Sequence, residues 1–81
     1  TPEAEMINRE ILQTVESTIS HLPEDLRKAI TLREMDGLSY EKIAKIMDCP
    51  IGTVRSRIFR AREVIAKDLR PLLETSENQR W

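Results

Sequence analysis

Three breaks, at Leu22-Pro23, Asp36-Gly37 and Asp48-Cys49-Pro50, cut the chain into segments whose apolar residues recur every three or four positions. That pattern limits the chain to packed α-helices, since a half-buried strand would show apolar residues at every second position. Four helices are expected. The first has Thr1 as N-cap, Pro2 at its first position and acids in its first turn. Its stripe is Ile7, Ile11, Val15 and Ile19, with Ala4 and Leu12 alongside. Leu22 precedes a proline and so leaves the α region. Pro23 opens the second helix, with Glu24 and Asp25 at its positive end. Leu26, Ala29, Ile30 and Leu32 face its core side. Gly37 then supplies a positive φ. Ser39 caps a short third helix from Tyr40 to about Met47. Leu38 and Ile43 are spaced to staple its start. The fourth helix begins near Ile51 and runs to about Arg70, where Pro71 is expected to halt or kink it. Residues 1–73 then form the domain, and 74–81 read as a flexible polar tail.

A chain of 81 residues holds one modest core and buries only about 60–65% of its unfolded surface. One Cys excludes an internal disulfide framework and fits a reducing compartment. No apolar run is long enough to span a bilayer, and no basic-then-apolar leader is visible. A membrane partner is therefore not expected. The chain starts at Thr1 rather than Met and reads as a piece of something longer.

The net charge of −1 hides a division. Residues 1–41 carry nine acids and four bases, whereas residues 42–70 carry eight bases and three acids. Such asymmetry suggests a polyanion partner for the basic half. The plainer alternative is a solvated helix face held by i,i+4 pairs.

The third and fourth helices, about three residues apart, have the sequence form of a helix-turn-helix at about 40–59. Small Ala44 permits a close crossing. Asp48 stands where such a turn commonly has glycine, a mild departure because Asp tolerates left-handed backbone. Cys49 and Val54 fall where apolar contacts are needed, so Cys49 reads as a small core hydrophobe.

On a wheel of residues 51–70, Ile51, Val54, Ile58, Ala61, Ile65 and Leu69 fall within about 80° of one another. The opposite face carries Thr53, Ser56, Phe59, Arg60, Glu63, Lys67 and Arg70, flanked by Arg55, Arg57 and Arg62. Phe59 is the only Phe, and an aromatic is ordinarily core. Here the wheel puts it outside among arginines. A Phe beside Ser56 suits a thymine methyl or a base edge, and Arg60 can reach a guanine with two hydrogen bonds. Arg55, Arg57 and Arg62 are better placed for phosphates. Backbone amides near Gly52 and Thr53 offer a further phosphate site.

The stretch LPEDLRKAITLREMDGLSYEKIAKIMDCPIGTVRSRIFRAREVI, from Leu22 to Ile65, resembles region 4 of bacterial sigma factors. The type is the extracytoplasmic-function group, on its sigma-E/AlgU envelope-stress branch. The resemblance covers more than half of the chain, and the first helix fits the domain's opening helix. It implies an all-α domain without wings. It implies recognition of the minus-35 promoter element, GGAAC in type, by a recognition helix at about 51–70. Carried over by position, Ser56, Phe59 and Arg60 fall at base contacts. Thr53, Arg55 and Arg62 fall at or beside backbone contacts, and Arg33 and Tyr40 match further phosphate contacts. The implied partners are promoter DNA, core RNA polymerase through its β-subunit flap, and an anti-sigma factor. The implied location is the bacterial cytoplasm, on the nucleoid.

Two alternatives compete. GLSYEKIAKIM…GTVRSRI also resembles the LuxR-type output domain of response regulators, which would lack the Arg-rich RSRIFRAR run. The other is a helical module whose main ligand is a protein. An enzyme is not expected, because no metal-ligand cluster, phosphate loop, nucleophile constellation or paired carboxylates in a pocket are visible. His21, the only His, sits at a helix end where a capping or surface role is the default. No cofactor, metal or small-molecule ligand is expected.

Overall fold

Four α-helices make up the computed structural model, which describes the backbone of residues 1–79 and the side chains of residues 1–74. They are α1 Pro2–His21, α2 Glu24–Glu34, α3 Tyr40–Met47 and α4 Ile51–Gln79. No strand, and so no wing, occurs among the described residues.

The punctuating residues act as their chemistry dictates. Thr1 Oγ1 accepts the Ala4 amide at 3.2 Å. Leu22 is extended (φ −64°, ψ 149°), as a residue before proline should be. Gly37 adopts φ 66°, and the Leu38 amide turns back to the Leu32 carbonyl at 3.1 Å. Ser39 Oγ accepts the Lys42 amide at 3.1 Å. Asp48 takes the left-handed conformation (φ 52°, ψ 55°) expected of the turn's glycine. Its amide bonds the Lys45 carbonyl at 3.3 Å and the Cys49 amide bonds the Ala44 carbonyl at 3.0 Å. That pair of bonds is a Schellman cap, which satisfies the Ala44 and Lys45 carbonyls in the last turn of α3.

The core lies where α2, α3 and the first half of α4 meet. Leu22, Leu26, Ala29, Ile30, Ile43, Ala44, Val54, Ile58 and Ala61 are buried there. Ala29, Ile43, Val54 and Ala61 are wholly enclosed. Ile65 packs against this cluster from half-buried ground, as does Cys49, which is a small partner of the core as expected. Ile51 departs from the wheel: it sits exposed in the first turn of α4, beside the cleft under Pro50 and Cys49. A first-turn residue has helix on one side only, and here no neighbouring element covers the other.

α1 lies antiparallel along the later part of α4. Thr18 is its one buried residue, while Ile7, Ile11, Val15 and Ile19 are half-buried. Two helices side by side cover only part of a stripe. Thr18 Oγ1 donates to Asp68 Oδ2 at 2.6 Å, a charge-assisted bond across 50 residues of sequence. Thr18→Val removes the donor and should cost roughly 1–3 kcal/mol. Thermal unfolding should register a fall of at least about 4 °C; an unchanged midpoint would show that the helix pair does not need this bond.

α4 does not stop at Arg70. It passes through Pro71 and continues to Gln79, so residues 74–79, expected as a loose tail, prolong the helix. Arg80 and Trp81 lie outside the described residues. A proline inside a helix removes one N–H donor and crowds the preceding turn, at about 3 kcal/mol. Pro71 shares a shallow cleft with Lys67, Asp68 and, from α1, Gln13, Thr14, Ser17 and Thr18. Leu72 beyond it is half-buried, whereas Leu73 is exposed. The paired helices give the molecule its 48 Å length against a width of 19 Å.

Candidate nucleic-acid interface

The first half of α4 is held rigidly by its buried side. Val54, Ile58 and Ala61 are 0%, 1% and 0% exposed, which fixes the helix's rotation. The outward side is fixed by the same packing. Arg55, Ser56, Phe59 and Arg60 are exposed and line one shallow cleft with Glu63. Phe59 is 64% exposed. A single exposed apolar side chain is ordinary on a protein surface; what distinguishes Phe59 is that it shares its cleft with Arg55 and Arg60. Among the described residues, Arg55 and Arg60 join no ion pair or hydrogen bond. Both guanidinium groups keep all their donors for an external acceptor.

The remaining expected residues do not stand in this cleft. Arg57 is half-buried and points inward. Its Nε lies 3.5 Å from Asp25 Oδ2, and its Nη1 lies 3.7 Å from Cys49 Sγ. It ties the start of α2 to the turn before α4 rather than standing beside Arg55 and Arg60. Thr53 is half-buried in the first turn, and its amide donates to the Pro50 carbonyl at 3.0 Å. That N–H is therefore occupied.

A second cationic group forms where α2, α3 and α4 converge. Arg33 Cζ lies 4.8 Å from the Tyr40 ring centroid, a cation–π stack. Arg33 Nη1 also donates to the Leu38 carbonyl at 2.9 Å. Arg62 Nη2 donates to Glu34 Oε1 at 2.6 Å, with both side chains about half exposed. That hydrogen bond, more than the charges of Glu34 and Tyr40, holds the Arg62 guanidinium above its usual pKa against slight desolvation. Exposed pairs of this kind contribute under about 1 kcal/mol to stability. Their effect here is geometric: Glu34 fixes where the Arg62 charge is presented.

The structure thus joins Ser56, Phe59, Arg60 and Arg55 in one cleft, and Arg33, Tyr40 and Arg62 in one junction. Sequence reasoning missed the counter-ions Asp25 and Glu34. They lie 32 and 28 positions from their arginines, and no periodicity within one helix points to them. It also passed over Glu63, although the wheel put that residue on the outward face. Among the described residues no group of three or more His, Cys, Asp or Glu is placed to hold a metal ion. No helix among them is long and apolar enough to cross a membrane.

A family model described as Sigma-70, region 4 matches residues 12–65. The ECF RNA polymerase sigma-E factor of Haemophilus influenzae is 64% identical over 73 residues, which is 90% of this chain and 39% of that protein. The factors of the same name from Salmonella typhimurium and Escherichia coli are 67% identical over 72 residues, or 89% of this chain and 38% of theirs. The chain therefore spans about two fifths of the length of the curated relatives it matches.

Proposed function

The chain belongs to the Sigma-70, region 4 family, and from that premise we propose that it is the minus-35 recognition domain of an ECF sigma factor of the sigma-E type. In this reading α4 enters the major groove as the second helix of a helix-turn-helix. Ser56 and Phe59 meet base edges, and Arg60 pairs with a guanine through two hydrogen bonds. Arg55 meets phosphate beside them. Arg33, Tyr40 and Arg62 grip the backbone from the junction, and Thr53 contacts it through its side chain at the start of α4. Arg57 acts from within, by holding α4 at the correct angle. The observation that carries the reading is the exposed row Ser56, Phe59, Arg60 on a helix whose opposite residues Val54, Ile58 and Ala61 are buried. The family match favours this reading over a LuxR-type output domain.

The domain works in the cytoplasm as part of a two-domain initiation factor. It directs core RNA polymerase to stress promoters and docks on the polymerase's β-subunit flap. An anti-sigma factor covers it before release. The half-and-half charge supports a division of labour. The basic half meets DNA. The acidic half, with exposed apolar Leu12 and Met35, is offered to protein partners.

The test is competition between a GGAAC-type minus-35 duplex and a scrambled duplex for the chain. Preference for the first is expected. The slope of log affinity against log salt should be about −3 if Arg33, Arg55 and Arg62 each neutralise one phosphate. A flat salt titration, or no preference between duplexes, would reduce the domain to a protein-binding module.

A further inference from the structure

Glu63 is the only acid in α4 between Ile51 and Lys67. It is exposed, and it lines the same cleft as Ser56, Phe59 and Arg60. An acid there faces a polyanion across the proposed interface, an arrangement that repulsion alone would disfavour. The bland explanation is an i,i+4 pair with Lys67, worth a few tenths of a kcal/mol. Among the described residues the two ion pairs are Arg57–Asp25 and Arg62–Glu34, and Glu63 enters neither. Its carboxylate is left without a protein partner in the cleft.

Position gives that carboxylate a role. Glu63 stands three residues after Arg60, about 4.5 Å further along the helix axis, which is close to the roughly 3.4 Å between successive base pairs. Glutamate is an acceptor only, and cytosine N4 is the donor that the major groove presents to it. Adenine N6 also donates, but its neighbouring N7 is an acceptor and repels a carboxylate.

We propose that Glu63 is a specificity-determining residue that selects a cytosine one base pair from the guanine read by Arg60, on the strand opposite the neighbouring guanine of GGAAC. The proposal rests on α4 being the minus-35 recognition helix. It lengthens the reading row to Ser56, Phe59, Arg60 and Glu63, and it makes the acid an element of discrimination against wrong bases rather than of affinity.

The experiment is fluorescence anisotropy of the 81-residue chain on minus-35 duplexes in which each base pair is varied in turn. The native chain should favour cytosine at one position next to the Arg60 guanine by roughly ten-fold. Glu63→Gln should move that preference to adenine, which an amide can both donate to and accept from, and should leave the guanine preference unchanged. A Glu63→Gln chain that binds every variant equally more tightly would show that Glu63 only repels phosphates, and would overturn the proposal. So would a variant that keeps the native profile. A native chain unable to tell the element from a scrambled duplex is a different result, and it would bring down the reading of α4 itself.

Discussion

Val54→Asp should leave the domain largely unfolded at 25 °C. Val54 is wholly buried in the cluster formed with Ile43, Ala44 and Ile58. The substitution forfeits the transfer energy of the valine, about 1.5–3 kcal/mol. It also buries a carboxyl with no partner, at a further 2–7 kcal/mol. A domain of this size has on the order of 4–12 kcal/mol of stability at typical values per residue. The loss consumes most or all of that. Circular dichroism should show the helical signal weakened and the cooperative melt absent or moved down by tens of degrees. Arg55→Asp, one residue along and fully outside, should keep a melt within a few degrees of the native chain. That contrast separates burial from a general intolerance of acid in the turn. A native-like melt for Val54→Asp would mean that α4 is rotated, and Ser56, Phe59 and Arg60 would then lose their outward assignment too.

Local chemistry explains why so much of this fold is legible in the sequence. Proline, glycine and serine act on backbone within a residue or two of themselves. The boundaries at Leu22-Pro23, Gly37, Ser39 and Asp48 therefore follow from sequence alone, and the structure has them there. The burial of Val54, Ile58 and Ala61 follows from spacing, because one rigid helix has one buried side. What the sequence hides is tertiary. Pro71 reads as a halt or a kink by local criteria, and the helix runs through it to Gln79 with α1, more than 50 positions earlier, lying alongside. Arg57 and Arg62 read as two more cations for phosphate. One is drawn inward by Asp25 and the other is steered by Glu34, and a wheel of α4 contains neither acid. The wheel tells which side an arginine is on, not which carboxylate from another helix will claim it.

The charge division sharpens the expectation for Arg60. If bulk electrostatics ruled the interface, every cation of α4 would matter alike and sequence preference would be slight. On the proposed reading the two cations differ: Arg60 stands in the cleft beside Phe59, and Lys67 lies two turns along near the α1 contact. Arg60→Ala should therefore lose about 1–3 kcal/mol of discrimination, a factor of roughly 5 to 150, between the minus-35 and scrambled duplexes. Lys67→Ala should weaken both duplexes by a similar small factor and leave their ratio intact. Neither side chain is buried, so the native melt should persist in both variants and the losses can be assigned to DNA. Measured as a ratio of affinities at one salt concentration, the Arg60 effect is free of the counterion contribution that dominates each affinity taken singly. Equal losses on both duplexes for both variants would place Arg60 on the backbone and leave base selection to Ser56 and Phe59.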